Sequence, residues 1–184
     1  MRFVLTLLGA AVISTSALAA GYKESKSGDL SNDGLNPTPV KLKVGSNIID
    51  GDDGVGNSGI DRDYFTIKIG KGQTLASIIL DPKTRIGGHF SFLGVQAGKQ
   101  VTVDPNGNDP SQLLGWIHYG TSDEGTDILP AICHGAGAIG CKPPLGPGSY
   151  SFWAQETSVC TCHYRFIFNV TGPALDEEEG EGED

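Results

Sequence analysis

Long apolar runs are nearly missing from this chain. The one that stands out, Phe3 to Ile13, is too short and too poorly flanked for a membrane helix. No later stretch approaches spanning length, so no membrane span is expected once a leader is removed. An excess of basic residues is missing too: 13 Lys and Arg face 22 Asp and Glu. That leaves no electropositive footprint for nucleic acid. Helix-period apolar patterns are few, and no internal repeat is visible. Catalytic signatures are also lacking, with no His-Glu-x-x-His, no Gly-x-Ser-x-Gly and no phosphate-binding loop. Aromatics are modest at 8%.

Turn residues are plentiful. The chain holds 27 Gly, and Asn-Gly and Asp-Gly pairs punctuate short apolar stretches, which favours an all-β chain. Residues 1–20 have the form of a secretory signal: Arg2 supplies the positive end, the apolar run follows, and Ala17-Leu18-Ala19 has the A-x-A form of a cleavage site. Residues 21–27 read as a polar lead-in, 28–171 as one β-sandwich domain, and 172–184 as a disordered acidic tail. The expected compartment is the periplasm, the cell surface or the extracellular space.

The formal charge is −9, but the tail carries most of it. Asp176 to Asp184 contains seven acids and no base; with it and Arg2 set aside, 22 acids and 13 bases become 15 and 12, a net of −3. The folded body is only mildly acidic, and the tail reads as a solvating end.

Strand periodicity is clearest from Tyr64 to Ile69. Phe65, Ile67 and Ile69 alternate with Tyr64, Thr66 and Lys68. Gly70 and Gly72 suit a reversal, and the nearly all-apolar Leu75 to Leu80 reads as a central return strand. Further strands are expected at Val40 to Val44, Asn47 to Ile49, His89 to Val95, Gln100 to Val103, Gln112 to Tyr119, Ser149 to Gln155 and His163 to Val170, with a short apolar return at Asp127 to Pro130. Asp50 to Gly59 reads as a flexible acidic loop. It lacks the fixed spacing of an EF-hand and is a secondary candidate for an ion. Eight or nine short strands imply a two-sheet antiparallel sandwich.

Asp61 and Asp63, two apart, point the same way if their segment is extended. Either they cap backbone N–H groups in a turn, or they serve a hard cation. The run Asp61-Arg62-Asp63-Tyr64-Phe65-Thr66-Ile67, followed by Gly70-Lys71-Gly72-Gln73-Thr74-Leu75, resembles the core motif of bacterial pre-peptidase C-terminal (PPC) domains. Gly146-Pro147-Gly148-Ser149-Tyr150-Ser151-Phe152 is similar to that family's Gly-x-Gly-x-Tyr-x-Phe strand. The resemblance spans Gly28 to Val170, with Ile86 to Cys141 matching loosely. It implies a secreted β-sandwich of jelly-roll type, a non-catalytic accessory module. It also implies calcium, held by Asp29, Asn32, Asp33, Asp61 and Asp63. The usual Glu-Pro-Asn-Asp opening is absent, and no protease accompanies the domain in this chain.

The four cysteines, Cys133, Cys141, Cys160 and Cys162, form an even set in an exported chain and point to disulfides. Residues two apart in a strand sit near the upper limit of disulfide reach, so a Cys160–Cys162 bridge is disfavoured. Bridges from the Cys133 to Cys141 loop to the last strand fit better, though spacing leaves the pairing open. With His134 and His163 these cysteines also supply enough N and S ligands for zinc, but the spacing matches no common zinc pattern. Trp116, Tyr119 and Trp153 are candidate ligand-binding aromatics, with core packing as the competing reading. Trp153 is out of phase with Phe152 and faces away from it. The expected partner is an extracellular polymer or protein. A polysaccharide-binding module, a small secreted hydrolase and a structural envelope protein are the alternatives.

Overall fold

The computed structural model describes residues 20–57 and 59–174. Residues 1–19, on which the expected secretory signal falls, Ser58, and residues 175–184 of the expected acidic tail lie outside the described residues. In chain order the elements are β1 (Ala20–Lys23), α1 (Glu24–Ser27), β2 (Thr38–Val40), β3 (Gly45–Gly56), β4 (Gly59–Ile69), β5 (Thr74–Leu80), β6 (Ser91–Ala97), β7 (Gly115–Tyr119), α2 (Leu129–Ile132), β8 (Gly148–Gln155) and β9 (Cys162–Thr171). The chain is all-β, as its punctuation predicts. Hydrogen bonds run along one curled path, β5-β9-β3-β4-β8-β6-β7, with β1 parallel to β3 and β2 parallel to β4. The remaining pairs are antiparallel.

Two long ladders carry this path. β3 pairs with β9 from Gly45↔Val170 to Asp53↔Cys162, and β4 pairs with β8 from Ile69↔Gly148 to Arg62↔Gln155. The ladders meet only where β3 turns into β4, from Gly54↔Asp61 to Gly56↔Gly59. Because the path curls there, the inner faces confront each other. Period-two alternation puts Tyr164, Phe166, Phe168 and Val170 of β9 inward, all buried. Phe168 meets Phe65 edge-on at 6.0 Å and Phe152 at 5.2 Å. Each such side chain contributes roughly 1.5–3 kcal/mol when fully buried.

Several expectations are corrected. Tyr64 to Leu80 is not a hairpin: β4 pairs with β8 and β5 pairs with β9, so Gly70 to Gly72 links the two ladders. β5 is not central either. It lies at an end of the path, and its apolar run is covered by bridges to Leu145 and Asp127. Within the expected Asp50 to Gly59 loop, Asp50 to Gly56 is instead the end of β3 that meets the start of β4. Backbone pairing with β9 overrides the poor strand propensity of its Asp and Gly residues. Residues 41–44 and Gln100 to Val103 form no strand, although Val40 and Val101 are buried. The Leu129 to Pro130 return begins α2 instead. Residues 21–27, expected as a lead-in, form most of β1 and all of α1.

The disulfides link neighbours, Cys133 with Cys141 and Cys160 with Cys162, not the loop with the last strand. The Cα atoms of Cys160 and Cys162 are 5.3 Å apart, well inside disulfide reach. Cys160 precedes β9, so the pair is not held to a fully extended spacing. No free thiol remains among the described residues.

Candidate functional site

Inward-facing carboxylates replace apolar side chains at the end of the curled sheet where β3 meets β4. On β3, alternation carries Asn47, Ile49, Gly51 and Asp53 inward. On β4, Asp63 is buried, two residues ahead of Phe65 in the same inward phase. Just past β8, Glu156 continues the phase of Phe152 and Ala154 and is 2% exposed.

The N-terminal segment closes this end. β1 lies parallel on β3 with Lys23 opposite Asp50, which brings Glu24 beside Gly51. Glu24 Oε1 accepts from the Leu30 amide at 3.1 Å, and Oε2 accepts from the Asp52 amide at 2.8 Å. The Glu24 side chain therefore ties its own segment to β3. Gly51 makes this approach feasible: a Cβ there would lie 2.4 Å from the Tyr164 hydroxyl oxygen and 2.9 Å from Glu24 Cδ.

Glu24, Asp29 and Asp63 bring carboxylate oxygens within 4.8 Å of one another. Asp63 is 0% exposed. Its Oδ2 accepts the Tyr164 hydroxyl at 2.6 Å, while its Oδ1 has no hydrogen-bond partner among the described residues. Burial, and then the charge of Glu24, push the Asp63 carboxyl up to about 9 against the Tyr164 hydrogen bond. Burial likewise raises Glu24 and Asp61, with the Asp29 charge adding to both. Asp53 is pushed up to about 8 by burial and then by Glu156. Without a compensating cation, burial favours the protonated forms of Asp63 and Asp53; with one, this end offers a set of oxygen donors.

The five residues expected as calcium ligands are divided by the structure. Asp29 and Asp63 converge, with Glu24 as the residue that sequence reasoning missed. Asp61 lines a surface cavity together with Asp29 and Asn32, and its Oδ1 accepts from Asn32 Nδ2 at 3.2 Å. Asn32 Oδ1 is engaged by the Arg62 amide at 2.8 Å. Asp33 is a turn former: Oδ1 accepts from the Leu35 amide at 2.9 Å and Oδ2 from Asn36 at 2.6 Å. Those bonds hold its carboxyl below the usual range.

On the outer face of β4, β8, β6 and β7 lies a second feature. Tyr64, Trp153, Phe92 and Trp116 form an aromatic row, with centroids 5.9 Å, 4.7 Å and 6.1 Å apart in that order. Trp153 does face away from Phe152, yet it is only 6% exposed. Trp116 is half-buried and donates Nε1–H to the Ala136 carbonyl at 3.0 Å. A groove of about 350 Å³ runs beside them, with Asn106, Asn108 and Gln155 among its walls. Tyr119 is elsewhere, fully buried in the main core against Phe166 at 5.4 Å.

His163 and Asp52 meet at 2.8 Å beside the acidic end. The nearby sulfurs of Cys160 and Cys162 are bonded to each other and offer no thiol nucleophile. No helix among the described residues is long and apolar enough to cross a membrane. No family model, no curated protein and no solved structure matches this chain.

Proposed function

We propose that this chain is a secreted, non-catalytic binding or accessory module of the periplasm, cell surface or extracellular space. Calcium clamps its N-terminal segment onto the sheet. The curled sheet is read as a two-layer sandwich of jelly-roll type, similar to PPC domains. Support for that likeness comes from the Asp61 to Leu75 motif and from Gly146 to Phe152. The observation that carries the calcium reading is Asp63: fully buried, with one oxygen unpartnered and Glu24 and Asp29 oxygens within 4.8 Å. A hard cation suits this all-oxygen donor set. Main-chain carbonyls and water would complete the coordination.

Because Glu24 opens α1 and Asp29 follows it while Asp63 belongs to β4, an ion between them ties the entering chain to the body. The test is thermal unfolding of the purified protein in chelator, then with calcium or magnesium restored. Calcium at a hundred times its Kd should stabilise by about 2.7 kcal/mol, a Tm rise of about 5–10 °C for a domain of this size. Equal Tm values in chelator and calcium overturn the clamp.

The outer aromatic row favours a second reading, a polysaccharide ligand. Sugar rings stack on aromatic faces while side-chain amides bond their hydroxyls. Trp116 and Trp153 share one groove with Asn106, Asn108 and Gln155, which is the arrangement that chemistry needs. Retardation of the protein in gels containing soluble polysaccharide, lost in Trp116→Ala, tests it.

A further inference from the structure

The two disulfides differ in what they can do for the fold. Cys133 and Cys141 are eight residues apart, Cys160 and Cys162 only two. A bridge stabilises by restricting the unfolded chain, and the restriction grows with the loop it closes. The Cys160–Cys162 bridge closes the shorter loop. The strand that follows, β9, is already held by β3 on one side and β5 on the other. Stapling the chain therefore explains this bridge less well than the other.

Its surroundings are those of a reactive bridge. A ring nitrogen of His89 and the sulfurs of Cys160 and Cys162 lie within 4.8 Å of one another. Local structure puts the ring there. Arg85 and His163 exchange both main-chain hydrogen bonds, at 2.6 Å and 2.9 Å, and the Cys162 sulfur lies 3.7 Å from the Ile86 carbonyl oxygen. The turn that follows is closed by the His89 amide, which donates to that same carbonyl at 2.9 Å. Gly87 and Gly88 take its positive φ angles, +60° and +84°, and so return His89 to the bridge. The histidine next to the other bridge, His134, is engaged at Nδ1 with the Pro130 carbonyl at 2.7 Å.

The two cysteines are unequal. Cys160 is half-buried and lines the surface cavity, whereas Cys162 is 2% exposed. Access therefore directs attack to Cys160 and makes Cys162 the leaving group. Asp52 and Asp53 pair with His163 and Cys162, and carboxylates so placed disfavour a departing thiolate. His89 removes that difficulty by giving the sulfur a proton as it leaves. Phe90, next after His89, is 69% exposed, and Val159, just before Cys160, is 86% exposed. They set apolar contact surface on both flanks of the bridge, which suits a protein partner better than a small thiol.

We infer that Cys160–Cys162 is a thiol–disulfide exchange site whose substrate is a dithiol carried by another protein. The partner's thiolate attacks Cys160 Sγ. The Cys160–Cys162 bond breaks, and Cys162 leaves with the electron pair and takes a proton from the His89 imidazolium. The partner's second thiol gives up its proton, attacks its own sulfur in the mixed disulfide and releases Cys160, which takes that proton up. The bridge is thereby reduced to two thiols, the partner's dithiol is oxidised to a disulfide, and His89 regains its proton from water. Each chain undergoes one exchange, so the site goes beyond the binding module proposed above, and it does not depend on calcium.

The purified oxidised protein is treated with dithiothreitol under native conditions, quenched by alkylation at intervals and mapped by mass spectrometry. Cys160–Cys162 should open roughly ten-fold faster than Cys133–Cys141, or more. His89→Gln should slow that opening by about ten-fold or more with the Tm of the oxidised protein unchanged. The protein is then mixed with a Cys-x-x-Cys oxidoreductase whose second cysteine is replaced by serine, which halts exchange at the mixed disulfide. The adduct should sit on Cys160. The double variant Phe90→Ser, Val159→Ser should form it more slowly while opening at the wild-type rate in dithiothreitol. If His89→Gln fails to fold, judged by near-UV circular dichroism, the wild-type rates and the position of the adduct decide. Opening of Cys160–Cys162 no faster than that of Cys133–Cys141, or an adduct on Cys162, overturns the site. Fast opening in dithiothreitol with no protein adduct overturns the protein dithiol as its substrate. An unchanged rate in folded His89→Gln overturns the proton transfer from His89.

Discussion

Tyr164 on β9 donates its hydroxyl to Asp63 on β4 at 2.6 Å, across the interior between the two ladders. Both groups are fully buried. Among the described residues this is the one side-chain hydrogen bond at Asp63, and it holds the carboxyl beside Glu24 and Asp29. Replacing Tyr164 with Phe leaves Asp63 Oδ2 buried and unpaired. The expected cost in chelator is about 1–3 kcal/mol, measured by urea unfolding. A cost near zero would mean that Asp63 finds another donor.

The pH dependence follows from the raised carboxyls. Asp63 and Asp53 move from 3.8 to about 9 and about 8. The folded chain therefore binds more protons than the unfolded chain between those limits. Their contribution is fully present below 3.8 and is lost as pH rises through about 8 and about 9. In chelator, Tm should fall as pH is raised across that window. In saturating calcium the decline should shrink or reverse, because the ion displaces the protons and binds tighter as pH rises. Parallel pH profiles with and without calcium would contradict this.

Gly51 is where a small change should reach the site. Its missing side chain leaves room for both the Tyr164 hydroxyl and Glu24. Gly51→Ala should destabilise by about 1–3 kcal/mol through overpacking and weaken calcium binding as well. Calorimetry of the folded variant separates the two effects.

The two tryptophans should respond differently. Trp153→Ala empties a packed position between Tyr64 and Phe92, and a loss of about 3–5 kcal/mol is expected. Trp116 is half-buried, so Trp116→Ala should cost clearly less in the same unfolding assay while abolishing any retardation by polysaccharide. Retardation that survives Trp116→Ala would remove the outer groove from the function.

Much of the fold is legible in the sequence where side chains alternate in type. Tyr164, Phe166, Phe168 and Val170 mark β9, and Phe65, Ile67 and Ile69 mark β4. Pairing is not legible, because Gly70 to Gly72 can close a hairpin or cross between ladders equally well. At the acidic end, Asp61 and Asp63 stand out by spacing, whereas Glu24 gives no signal: its role depends on β1 lying parallel on a strand distant in sequence. Asp53 did carry a signal. Extending the Asn47, Ile49 phase through Gly51 places it inward, but the density of Asp and Gly reads as a loop until β9 is seen to pair with it. The Cys160–Cys162 bridge is not legible from spacing, because Cys160 lies just outside β9 and the pair is shorter than a fully extended strand would make it.

Hydrogen–deuterium exchange of the segment from Ala20 to Leu30 tests the calcium clamp most directly, with the purified protein compared in chelator and in calcium. Slower exchange in calcium, concentrated in β1, α1 and the Asp29 to Leu30 turn and abolished in Asp63→Asn, is the predicted result. Exchange in that segment that is identical in the two conditions would contradict it.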